Sequence, residues 1–277
     1  MQDIRRFLKE DIGGGDVTSE SLFGAEKARA AIVAKKECVV AGLEEARMVF
    51  RALGLMARCV AKDGGKVRAG TIVLTVEGRA ADILKGERLA LNFLMRMSGI
   101  ATETRALVDL CAKAGSKVLV AGTRKTVPGF RKYDKKAIAL GGGWPHRMGL
   151  YDGVLIKDNH LKLVSITEAV RRASRSRKPI EVEVTDVKQA IEAARAGAHM
   201  VMLDNMTPRQ AKAVSAVIRN LYPRVKIEIS GGITPANIVR YAPYADVISL
   251  GHLTHSVKAA DFSLDLETVR SGKKLSR

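Results

Sequence analysis

The sequence predicts an α/β protein in which a β-rich amino-terminal region precedes a (β/α) barrel. Three observations carry that expectation. Glycine turns separate short β-rich runs up to about residue 90, and beyond Ala90 short apolar runs alternate with helical patterns. Several such units follow one another without a linker or low-complexity stretch, which favours a barrel over an open sheet. Charged residues or glycines stand at the exit of every one of those runs.

In the first region, "ARAAIVAKKECVVAG" and "CVAKDGGKVRAGTIVLTVEGRA" read as strands, and "LEEARMVFRALG" between them has helical spacing and a closing glycine. The stretch "KDGGKVRAGTIVLTVEG" is similar to the hairpins of lipoyl carrier domains. It lacks the exposed tip lysine that such a hairpin needs, so a structural role is expected. From Ala90, "LALNFLMRMSGIATETRALVDLCAKAG" reads as long helical turns ending at Gly115. The strands that follow are "KVLVAG", "GVLIKD", "IEVEV", "HMVMLDN", "VKIEISGG" and "DVISLG". Helices are expected over "SITEAVRRASRS", "VKQAIEAARAG", "TPRQAKAVSAVIRNL" and "TPANIVRYA". Short buried strands between helices imply a parallel sheet. The terminal "RSGKKLSR" reads as a frayed basic tail.

The chain has 277 residues, 47% of them hydrophobic, enough for one large domain or two unequal ones. Aromatics make up 4%, so Ala, Val, Leu and Ile must fill the core. A formal charge of +18 suggests polyanionic partners: nucleic acid, an anionic membrane surface, or small molecules rich in phosphate or carboxylate. Nucleic acid is disfavoured, because no aromatic stacking platform and no single basic helix is visible. Cys38, Cys59 and Cys111 lack metal or redox spacing, the amino terminus lacks a signal-like apolar stretch, and no apolar run approaches the roughly 20 residues of a membrane span. A soluble, cytoplasmic protein is expected.

The active site of a (β/α) barrel lies at the carboxy-terminal ends of its strands. Here "KVLVAG" delivers Thr123, Arg124 and Lys125, and "GVLIKD" delivers Lys157, Asp158 and His160. The period-2 spacing of "IEVEV" sets Glu181 and Glu183 on one face. Asp204 and Asn205 end the next strand; Ser230, Gly231 and Gly232 the next; and Gly251, His252, Leu253 and Thr254 follow the last. Glycine turns leading into helices suit a phosphate, carboxylates suit ribose hydroxyls or Mg2+, and arginine suits a carboxylate substrate. Any one of these residues could be a solvated or salt-bridged surface group, but six strand ends acting together argue for a site.

At "TRKTVPGFR", "GGGWPHRMGLYDGVLIKDNH", "EVEV", "MLDN", "ISGGI" and "GHLTHSVKAADFSLDL" the chain resembles the quinolinate phosphoribosyltransferases. The likeness begins near "EDIGGGDVTSE" and includes "GERLALNFLMRMSGIAT". It implies an α/β fold with an N-terminal α/β sandwich domain, 1–91, on which 260–277 pack back, and an incomplete (β/α) TIM-like barrel, 92–259. It also implies the reaction of quinolinate with phosphoribosyl pyrophosphate to nicotinate mononucleotide, pyrophosphate and CO2, with Mg2+, in a homodimer or higher oligomer that shares its sites. By the resemblance, Arg124, Lys125, His146, Arg147 and Lys157 form a cationic quinolinate pocket, with Thr123 beside it and Arg88 reaching the partner's site. Glu183 and Asp204 face ribose and, indirectly, metal; Ser230, Gly231, Gly232, Gly251, His252, Leu253 and Thr254 hold phosphate. Lys157, Glu183, Asp204 and Lys125 are the expected catalytic set. The sequence departs from many members at Trp144-Pro145 and at His252. A molybdenum-associated ModD-like relative with another acceptor is the alternative, and the intact "TRKT", "HRMGLYDGVLIKDNH" and "SLDL" segments argue against it; a nicotinate-salvage transferase is a second, and it would not need so many cations.

Overall fold

A computed structural model describes residues 2–268. The expected frayed tail and the end of the segment 260–277 lie outside the described residues. The chain opens with α1 (Gln2–Ile12), which buries Ile4 and Leu8 at i, i+4 spacing. α2 (Val17–Leu22) is capped by Asp16, whose carboxylate accepts the N–H groups of Thr18 and Ser19. The expected β-rich region follows as β1 (Lys27–Ala34), β2 (Cys38–Val39), α3 (Leu43–Ala52), β3 (Met56–Cys59), β4 (Lys66–Val67) and β5 (Ile72–Arg79). β1 buries every second residue, Ala28, Ala30, Ile32 and Ala34, and so has one face in the core.

α4 runs from Ala80 to Lys113, starting ten residues before the helix that the sequence predicts at Ala90. The added turns include Gly86. That glycine is a packing position: a Cβ on it would stand 3.0 Å from the Phe50 and Leu53 side chains. Two compact units result, Met1–Thr102 with Lys258–Arg277, and Glu103–Val257. The division falls inside α4, at 102/103 where the sequence suggested 91/92, and the return falls at 257/258 where it suggested 259/260. A boundary inside a helix leaves no compositional mark.

The second unit strings together β6 (Leu119–Gly122), α5 (Arg131–Leu140), β7 (Val154–Ile156), α6 (Asp158–Leu161), α7 (Ile166–Ala173), β8 (Ile180–Val184), α8 (Val187–Ala196), β9 (Met200–Asp204), α9 (Pro208–Leu221), β10 (Lys226–Ser230), α10 (Ile238–Tyr241), β11 (Val247–Leu250) and α11 (His252–His255). Each of the six predicted strands is present, and all join one sheet in the order β6-β11-β10-β9-β8-β7, every neighbour parallel. Ser165, Asp186 and Thr207 cap α7, α8 and α9 by accepting the N–H three residues on. β6 and β7 do not pair with each other, so the barrel is incomplete. On the free edge of β6, Trp144 makes a parallel bridge to Ala121, its N–H donating to Val120 O at 2.8 Å and its carbonyl accepting from Gly122 N at 3.1 Å.

The chain then returns to the first unit as β12 (Phe262–Thr268), antiparallel to β1, completing a sheet of order β12-β1-β5-β3. The return passes close over α4: a Cβ on Gly99 would lie 2.4 Å from Lys258 O.

Candidate active site

A cavity of about 740 Å³ opens at the carboxy-terminal ends of β6 to β11. Thr123, Arg124, Lys125, His146, Arg147 and Lys157 line it, with Glu183 and Asp204 next and Ser230, Gly231, Gly232, Gly251 and His252 beyond. A second cavity, of about 640 Å³, includes Leu119, Met200, Lys226 and Val247, the first residues of four strands, and so lies at the other end of the sheet. Its Lys226 is paired with Asp246 at 3.1 Å.

Three expected residues are not in the lining. Leu253 is fully buried in the core of the second unit, and Thr254 is 1% exposed with its hydroxyl engaged by Gly251 O at 3.0 Å and near Thr123 Oγ1 at 3.3 Å. Both side chains point inward because α11 starts at His252 and turns them onto the barrel. Arg88 belongs to the first unit, exposed on α4.

The cations come from the early strands and one loop. Arg124 has a buried Nε without a partner in the protein, a donor free for an anion. Arg147 is half-buried; burial, and then Arg124, push its guanidinium below its ordinary value. Lys157 reaches Glu183 Oε2 at 3.2 Å. Pro145 O accepts from Lys135 Nζ, Arg131 donates to Met148 O at 3.2 Å, and the Trp144 and His146 rings stack at 4.6 Å. The unusual Trp-Pro pair is therefore part of a tied-down loop. His252 stands 3.5 Å from Glu103, at the cavity edge.

The glycine side is shaped by Gly231, at φ +85°, where a Cβ would fall 2.3 Å from Asn205 Oδ1. Asn205 is itself left-handed, at φ +53°, and donates to Asp204 Oδ2 at 2.7 Å, which orients that carboxylate.

Sequence reading missed two buried charges. Glu228, on β10, is 0% exposed and lines the cavity floor; period-2 spacing from Ser230 carried that signal. Lys135, on α5, is 2% exposed, and no periodicity marked it in "RKYDKKAIAL". Glu181, seen as a partner of Glu183, lies deeper. Burial, and then the charge of Glu228, push its carboxyl up to about 9, so at neutral pH it keeps its proton. His146, Glu181 and Glu228 bring potential ligand atoms within 4.8 Å of one another. Arg147 faces both carboxylates, and Lys135 faces Glu228, so the negative charge there is already met by protein cations.

The Lys135 ammonium is pushed down to about 8, by burial first and then by Arg131, Arg147 and Arg124. An unfolded chain keeps that proton to near 10.5, so between these values the native state binds fewer protons and gains stability as pH rises. Lys135→Met should remove that gain. Thermal melts across the window should show wild type improving relative to the variant; parallel curves would contradict it.

A barrel mouth lined by cations, carboxylates and glycine turns suits an enzyme that handles anionic substrates. Comparison narrows this class. The chain matches the quinolinate phosphoribosyl transferase N-terminal domain over residues 16–98 and its C-terminal domain over residues 100–265. It is 43% identical over 254 residues to a probable nicotinate-nucleotide pyrophosphorylase (carboxylating) of Archaeoglobus fulgidus, covering 90% of this chain and 97% of that protein. The human nicotinate-nucleotide pyrophosphorylase (carboxylating) is 38% identical over 268 residues, 95% of this chain and 90% of its own. The solved nicotinate-nucleotide pyrophosphorylase of Francisella tularensis superposes with a TM-score of 0.90 at 36% identity, covering 96% of this chain and 95% of that one. The chain belongs to the quinolinate phosphoribosyltransferase family.

Proposed function

We infer that this chain transfers the phosphoribosyl group of phosphoribosyl pyrophosphate to quinolinate, with loss of CO2, forming nicotinate mononucleotide for NAD biosynthesis. The observation that carries the reading is one cavity lined both by Arg124, Lys125, Arg147 and Lys157 and by Ser230, Gly231 and Gly232. Two polyanions repel each other, and a cationic cavity gathers both. Arg124 and Arg147 take the two carboxylates of quinolinate, with Lys125 and Thr123 beside them, and the glycine turns take phosphate through backbone N–H groups.

As the anomeric C–O bond to pyrophosphate breaks, positive charge builds on that carbon, and Glu183 stabilises it from the middle of the mouth. The ring nitrogen then bonds to the anomeric carbon. The resulting pyridinium accepts the electron pair left when the adjacent C–CO2 bond breaks, and that carbon takes a proton from Lys157, an ammonium with N–H donors in the cavity. Asp204, held by Asn205, faces the ribose hydroxyls.

Magnesium fits this donor set. Glu183 and Asp204 offer hard oxygen atoms at the mouth, and Mg2+ commonly binds through substrate phosphates with few protein groups. Both carboxylates would reach it through water, and the ion would neutralise the leaving pyrophosphate. The free thiols of Cys38, Cys59 and Cys111 suit a cytoplasmic setting; among the described residues no helix is long and apolar enough to cross a membrane. Incubating purified protein with quinolinate, phosphoribosyl pyrophosphate and Mg2+ should release CO2 and form nicotinate mononucleotide. Absence of both products would overturn the reading.

A homodimer with shared sites accounts for Arg88, an exposed cation of the first unit. Arg88→Ala and Lys157→Ala should each be nearly inactive. Mixed under conditions of subunit exchange, they should recover activity, up to about half of normal per heterodimer, because one site carries both lesions and the other neither. No recovery despite proven exchange would assign Arg88 to its own subunit.

A further inference from the structure

His146 was expected among the cations that touch quinolinate, yet its ring is engaged on both sides by the protein. Nδ1 accepts the backbone N–H of Arg147 at 2.7 Å. A proton on Nδ1 would set two donors face to face, so Nε2 is the protonated nitrogen of a neutral ring. Nε2–H points at Glu228 Oε2, 3.0 Å away, with Glu181 Oε2 at 3.6 Å. No N–H is left over for a substrate carboxylate.

The backbone adds a second observation. His146 sits at φ +57°, a left-handed conformation that is unfavourable for a residue other than glycine and persists only where its surroundings hold it. The strain lies one residue before Arg147, whose guanidinium lines the cavity and also donates to Gly153 O at 3.3 Å. The residues before it are pinned too, Trp144 to β6 and Pro145 by Lys135. The His146 ring is the remaining clamp, and its anchor is a fully buried carboxylate in the middle of β10.

We propose that Glu228 is a positioning residue for the acceptor pocket: it holds the neutral His146 ring, and that ring locks the left-handed turn that aims Arg147 into the cavity. His146 then serves Arg147 and not the substrate. The inference rests on quinolinate being the acceptor bound by Arg147.

Nitrogen NMR of isotope-labelled histidine, with His146→Asn assigning the signal among the five histidines, reads the tautomer directly. The neutral Nε2–H pattern is expected, unchanged when quinolinate is added. An imidazolium pattern, free or with quinolinate bound, would overturn the proposal. In kinetics, Glu228→Gln keeps an acceptor for Nε2–H and should hold the quinolinate KM within about twofold, whereas Glu228→Met should raise it about tenfold or more and leave the phosphoribosyl pyrophosphate KM unmoved. Equal rises in both KM values, or a wild-type KM in Glu228→Met, would also overturn it. If Glu228→Met does not fold, the tautomer of the wild-type protein decides alone. A wild-type protein with the expected tautomer but no quinolinate turnover would refute the acceptor and leave the clamp standing.

Discussion

Arg147→Ala should raise the quinolinate KM on the order of a hundred- to a thousandfold while barely changing that for phosphoribosyl pyrophosphate. The size follows from the site. Arg147 and Arg124 are close enough to depress the Arg147 guanidinium, Lys135 is crowded by both, and Arg124 keeps a buried Nε without a protein partner. Such a cluster is assembled against its own repulsion and is relieved when a dianion enters. Removing one guanidinium discards a planar two-point contact and leaves one carboxylate unmatched. Arg124→Lys should be poor as well, because an ammonium cannot reproduce the fork. Steady-state kinetics with each substrate varied, and calorimetric titration with quinolinate, make the check. Full activity in Arg124→Lys, or equal loss for both substrates, would remove the carboxylate clamp.

Nicotinate should be a very poor acceptor, with kcat/KM lower on the order of a thousandfold or more. It lacks the second carboxylate, so one of the half-buried guanidinium groups of Arg124 and Arg147 would stay unmatched. It also lacks the group whose departure completes the reaction. Turnover of nicotinate and quinolinate should be compared under matched phosphoribosyl pyrophosphate and Mg2+. Comparable values would refute the acceptor assigned here.

The second unit was legible because short apolar-rich runs alternate with helical patterns; the runs of β6, β7, β9 and β11 are contiguous, while those of β8 and β10 are interrupted by glutamates. The mouth was legible for a related reason: chemistry in this fold sits at strand exits, so Arg124, Lys157, Glu183, Asp204 and Ser230 could be read from position alone. What lay deeper was harder to see. Glu228 hides inside a strand of alternating apolar residues, and Lys135 on a helix that also buries Asp134; in neither case does local pattern reveal which charges will meet. His146 lines the mouth, but its bonds depend on Glu228, 82 residues further on. The start of α4 was missed because the glycine-turn texture was carried to about residue 90, whereas Gly86 packs against Phe50 and Leu53 inside the helix.

The position of β12 bears on how the protein comes off the ribosome. Every other strand of the first unit's sheet is synthesised before Arg79, but β12 appears only at Phe262–Thr268. Throughout elongation β1 has an open edge of alternating apolar residues where β12 will pair, and such an edge invites pairing with other chains. The second unit, whose last residue is Val257, is fully synthesised before that edge can close. The part of the protein made first is thus the part completed last.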